Sequence, residues 1–103
     1  MPISGIRTDE KKVIVRIKID ESSQKRYNRF RHDIEVAFDN PEIKGYGGFT
    51  DIRKSDSDLD LNVCYGKEYI HIIIYGKKQT RNRIIEILNR HFVYMNTKED
   101  NEQ

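Results

Sequence analysis

From Leu59 to Tyr75, LDLNVCYGKEYIHIIIY, apolar and polar positions alternate on both sides of a glycine, the pattern of two half-buried strands joined by a tight turn. A two-residue turn at Gly66-Lys67 sets Tyr65 opposite Glu68, Val63 opposite Ile70, Leu61 opposite Ile72 and Leu59 opposite Ile74. One face of this hairpin is then wholly aliphatic, carrying Leu59, Leu61, Val63, Ile70, Ile72 and Ile74. The other carries Asp58, Asp60, Asn62, Cys64, Tyr69, His71, Ile73 and Tyr75. The aliphatic face needs helices over it, whereas the second can stay open and meet a partner.

The same period-two pattern runs through Val13, Val15, Ile17 and Ile19, which alternate with Ile14, Arg16 and Lys18. Asp20-Glu21-Ser22-Ser23 offers N-cap chemistry and early negative charge for a helix whose apolar stripe is Tyr27, Phe30, Ile34, Ala37 and Phe38. Asn40-Pro41 ends it. Gly45, Gly47 and Gly48 read as a flexible connection into a further strand near Phe49–Lys54. After the hairpin, Gly76 leads into a second helix with Ile84, Ile87, Leu88, His91 and Met95 on its buried side. The order is β-α-β-β-β-α, an α+β open-faced sandwich with a mixed or antiparallel sheet and both helices on one face. Residues 1–11 read as a flexible arm, 12–95 as a single domain and 96–103 as a disordered acidic tail. VIVRIKI and its helix echo YIHIIIY and its helix, as a diverged β-α duplication would.

Composition narrows the classes. A chain of 103 residues fits one domain, too small to enclose a sizeable cofactor. At 35% charged residues the surface is strongly solvated, and no apolar run reaches the roughly 18 residues of a membrane span. The start, MPISGIRTDEKK, has no apolar signal core. Cys64, the single cysteine, excludes an internal disulfide and suits a reducing cytoplasm. Richness in Ile, Asn, Lys and Tyr fits an AT-rich genome such as that of a virus or mobile element. The net charge of +2 hides two acid-free basic runs, QKRYNRFR at 24–31 and KKQTRNR at 77–83.

Candidate chemistry is sparse. Asp56, Asp58 and Asp60 share a strand face in this reading, but a calcium loop needs Gly and an acid where Leu61 and Lys67 stand. His32, His71 and His91 fall on three elements, and His71 alone lies on the outer face, opposite Asn62. Too few ligands accompany them for a metal site, so none is expected, nor is any cofactor. Cys64 lies across the strand pair from His71 but has no elbow or helix N-terminus to activate it, and is read as an inert thiol at a buried edge. KGYGGF at 44–49 lacks phosphate-loop spacing. No motif assembles a nucleophile, a base and an oxyanion donor, so the chain is not expected to be an enzyme.

VIVRIKID at 13–20, IEVAF at 34–38 and LNVCYGKEYIHIIIYGKKQTRNRIIEIL at 61–88 resemble the DinI-like regulators of RecA, whose core is β-α-β-β-α. That resemblance implies a small fold that regulates by binding a protein. The family engages RecA through an acidic second helix and acidic C-terminal residues. The corresponding helix here is basic, with Glu86 among Arg81, Arg83 and Arg90, and residues 41–57 are an insertion with room for an extra strand. The element order is also similar to one half of the TATA-binding fold, and the strands followed by a Lys-Lys helix resemble double-stranded RNA-binding domains.

A non-enzymatic regulatory module that binds a protein is therefore the leading expectation, with Tyr69, His71, Ile73, Tyr75 and Arg16 as its surface. The alternative is a nucleic-acid-binding domain using Lys77, Lys78, Arg81 and Arg83 at the second helix, where cations oppose the helix dipole, with Tyr69 and Tyr75 to stack on bases. A homodimer through the outer face is a third. No membrane partner is expected.

Overall fold

Val13, Val15 and Ile17 are buried while Arg16 and Lys18 are exposed, so the alternation of the first strand, β1 (Val13–Lys18), separates a core face from a solvent face. The computed structural model describes residues 12–92 together with the backbone of 96–99. The elements after β1 are α1 (Ser23–Ala37), β2 (Glu42–Tyr46), β3 (Phe49–Lys54), β4 (Leu59–Tyr65), β5 (Tyr69–Ile74), α2 (Lys78–Asn89) and β6 (Asn96–Glu99). They build an α+β fold on one antiparallel sheet of order β2-β3-β4-β5-β1-β6. Both helices lie on the aliphatic face. Phe30 and Ile34 of α1, and Ile84, Ile87 and Leu88 of α2, join Leu59, Leu61, Val63, Ile70, Ile72 and Ile74 in one buried cluster. Met95 lies outside the described residues, as do residues 1–11 expected to form an arm.

Strands beyond the expected ones complete the sheet. The glycine-rich connection is a hairpin: Tyr46 pairs with Phe49 around Gly47-Gly48, and Gly47 has φ +64°, a conformation that favours glycine. Its first strand, β2, forms one edge, guarded by the exposed charges of Glu42 and Lys44. At the other edge the expected disordered tail gives way to β6, whose Asn96–Glu99 pair antiparallel with Arg16–Val13. An open edge of β1 would leave a row of unpaired N–H and C=O groups, and this short strand satisfies them.

The central hairpin turns one step later than its composition suggests. Gly66 donates its N–H to the Tyr69 carbonyl at 3.0 Å, so the two-residue turn is Lys67-Glu68. Tyr65 consequently pairs with Ile70, Val63 with Ile72 and Leu61 with Ile74. Gly66 serves close approach rather than the turn centre, since a Cβ there would stand 3.1 Å from the Tyr69 oxygen. A slip of two residues preserves which side each residue faces, so the core survives the change while the neighbours on the open face are exchanged.

The helix ends explain several polar residues. Asp20, not Ser22, organises the start of α1: its carboxylate accepts the Ser22 N–H and hydroxyl, each at 2.9 Å, and these bonds hold its pKa below the ordinary value. At the other end, Arg83 donates to the Ala37 carbonyl at 2.8 Å and Lys54 to the Asp39 carbonyl at 2.6 Å. Cations here offset the negative end of the helix dipole. Asp39 and Asn40, with φ of 58° and 56°, then turn the chain toward Pro41 and β2.

Candidate binding face

The helices leave the second face of the sheet without cover from the described residues. Strand pairing arranges its side chains into rows. Nearest the hairpin turns, one row reads Tyr46, Phe49, Cys64, His71, Arg16 across five strands. Beside it, on the turn side, Tyr69 pairs with Lys18. The next row inward is Lys44, Asp51, Asn62, Ile73, Ile14, and beyond it come Glu42, Arg53 and Asp60. Tyr75 stands beside Asp60, its N–H donating to the Asp60 carbonyl at 2.9 Å.

This face is divided along the strands. At the end far from the turns, opposite charges satisfy each other: Lys44 lies 3.5 Å from Glu42, Arg53 lies 3.6 Å from Asp60, and Asn62 donates to Asp51. At the turn end, planar groups gather. The Arg16 guanidinium sits 4.7 Å and the Lys18 ammonium 5.5 Å from the centre of the Tyr69 ring, with the His71 ring at 6.2 Å. Tyr46 and Phe49, paired beside the first hairpin turn, add two neighbouring aromatic side chains that are 57% and 42% exposed.

The expected protein-binding residues Tyr69, His71, Ile73, Tyr75 and Arg16 therefore share one face, and the structure adds Tyr46, Phe49 and Lys18 to it. His71 faces Cys64, not Asn62, because of the register slip. Cys64 is exposed rather than tucked into a buried edge, and no hydrogen bond joins it to His71 among the described residues. Gly45 breaks the alternation of β2, which is why Tyr46 does not announce itself as a strand residue, whereas Phe49 opens the strand that the sequence does predict.

The expected basic cluster is taken apart. Arg81 is buried at 2% exposure and donates from Nε to the Gly76 carbonyl at 3.0 Å. Arg83 is committed to the end of α1, with its guanidinium 4.4 Å from the centre of the Phe38 ring. Lys77 and Lys78 remain exposed at the start of α2, and Arg83, though exposed as well, is turned to the end of α1. The acid that this helix start needs comes from within: Asp58 accepts the Lys77 N–H at 2.8 Å. Asp58 does so from a left-handed turn with φ 58°, and Asp56 lies in a short 3-10 turn, so the three carboxylates do not share a strand face. No group of three or more metal-ligating side chains forms among the described residues.

The other two histidines sit apart from this face. His91 binds Asp33 across the helix pair, Nε2 to Oδ2 at 2.7 Å, and this bond holds the Asp33 pKa below the ordinary carboxylate value. His32 is exposed on α1. Among the described residues no helix is long and apolar enough to cross a membrane. Compared with known proteins, the chain matches no family model, and no curated protein or solved structure shows significant similarity to it.

Proposed function

We propose that this chain is a non-enzymatic regulatory module that binds another protein on the open face of its sheet. The observation that carries this reading is the turn-end row, with Tyr46, Phe49 and Arg16 exposed and His71 and Tyr69 half-buried, on a face that neither helix covers. Aromatic and arginine side chains of this kind anchor protein interfaces. A single cysteine suits work in the cytoplasm.

Nucleic acid fits less well. Affinity for a nucleic-acid backbone comes largely from neutralising several phosphates with lysines and arginines. The outer face offers few cations without an acid beside them, and Glu42, Asp51 and Asp60 lie on it too. The basic helix start, with Arg81 buried and Arg83 engaged, does not make up the difference.

Selection of phage-displayed random peptides on the intact protein tests the reading. Synthetic copies of the enriched peptides are expected to lose at least tenfold in affinity against Tyr69→Ala or Tyr75→Ala, while both variants keep the parent's thermal midpoint within a few degrees. Unchanged affinity for both variants would overturn the choice of surface. Labelled single-stranded or duplex oligonucleotides that bind at micromolar concentration, and weaken steeply between about 50 and 200 mM salt, would overturn the choice of partner.

A further inference from the structure

We infer that the segment received by this face is acidic, and that Arg16 and Lys18, gathered on Tyr69, take its carboxylates. The inference rests on the open face being a protein-binding surface, and names the chemistry of what binds there. It follows from an imbalance between the two ends of the face. Toward β2 and β3, each outward cation has a carboxylate beside it, Lys44 with Glu42 and Arg53 with Asp60. On β1 neither Arg16 nor Lys18 makes an ion pair with any described residue, and the outward positions of β1 and β5 from Ile14 to Lys18 and Tyr69 to Tyr75 contain no carboxylate.

Two cations over one ring repel each other, and the ring offsets this only by about 0.5–1 kcal/mol per contact at an exposed site. An incoming carboxylate relieves that repulsion. Stacking also prepares Arg16 for it: a guanidinium laid over a ring keeps its edge N–H groups for a two-point bond to a carboxylate, with less rotamer freedom left to lose. Beside this pair lie Ile14 and Ile73, opposite one another in the next row, so the segment combines acidic with apolar side chains. Two cations match one or two carboxylates, and the carboxylates farther along the face limit the negative charge to the turn end.

The sequences of the enriched phage peptides give the first readout, and they are expected to carry net negative charge next to apolar residues. Arg16→Glu is expected to weaken the synthetic peptides at least tenfold, and a selection repeated on the Arg16→Glu/Lys18→Glu protein to return neutral or basic peptides. Both positions are exposed, and a thermal midpoint near the parent's confirms the fold of each variant. Peptides that require Tyr69 but carry no excess acid, or ignore Arg16→Glu, would overturn this inference and leave the open-face reading standing. Peptides indifferent to Tyr69, Tyr75 and Arg16 alike, or no enrichment, would overturn both. Single-stranded oligonucleotides whose binding is lost with Arg16→Glu would overturn both in favour of nucleic acid.

Discussion

The two faces of β1 and β5 are built from alternate residues of the same two strands, yet they obey different rules. On the inner face Val13, Val15, Ile17, Ile70, Ile72 and Ile74 are all 5% exposed or less and belong to one buried cluster with the helix stripes. On the outer face their neighbours Arg16, Lys18, Tyr69, His71 and Ile73 stay in contact with solvent. Packing dictates the first set, because any lost methylene there leaves a cavity. Stability scarcely constrains the second set, which leaves its chemistry open to selection by a partner. A face rich in Tyr, Arg and His on such a sheet therefore carries more information about function than its buried counterpart.

Substitution at adjacent positions of β5 puts this contrast under the greatest strain. Ile72→Ala removes fully buried atoms and is expected to cost about 2–5 kcal/mol, whereas Ile73→Ala on the outer face is expected to cost less than about 1 kcal/mol. Urea unfolding midpoints measure both, and equal losses would show that the outer face is covered after all. A somewhat smaller effect is expected where the sheet hands over to its covering helix. Gly76 has φ +95°, and a Cβ there would stand 2.9 Å from the Asp58 carbonyl oxygen. Gly76→Ala is expected to cost about 1–3 kcal/mol in the same assay, and a neutral result would mean that the Asp58 turn yields easily.

The smallest expected effect lies in the covering layer itself. The folded-state pKa of Asp33 is lowered by its bond to His91, so its contribution is whole above the ordinary carboxylate pKa of about 4 and is lost as pH falls through the folded value. Asp33→Asn is expected to lower stability by up to about 1 kcal/mol at neutral pH, and to flatten the acid side of the stability profile below about pH 4. Thermal midpoints across a pH series read both effects. An unchanged acid limb would show that the Asp33–His91 bond contributes nothing to the join between the helices.

The inner face could be read from the chain because alternation and helical spacing respond to burial, which acts on every inward position alike. Tyr27, Phe30 and Ile34, and likewise Ile84, Ile87 and Leu88, lie where their spacing places them. The arrangement of the outer face was less legible. Shifting the turn from Gly66-Lys67 to Lys67-Glu68 keeps every residue on its side but replaces Asn62 with Cys64 as the neighbour of His71. Nor does a run of charges reveal which members are buried. Arg81 and Arg83 are two positions apart in one basic stretch, but helical geometry turns Arg81 inward to the Gly76 carbonyl and Arg83 toward the end of α1. Tyr46 was hidden by glycines that look like a loop and fold as a hairpin turn, and with it the pairing that sets it beside Phe49.

The chain's single thiol belongs to this outer row, exposed between Phe49 and His71. Its rate of alkylation is consequently a gauge of whether anything lies over the face, obtained without altering a residue. A bound segment that shields the row slows the reaction, while one that settles on the helices leaves it unchanged. The molecule thus carries its own footprinting probe at the place where occupancy matters.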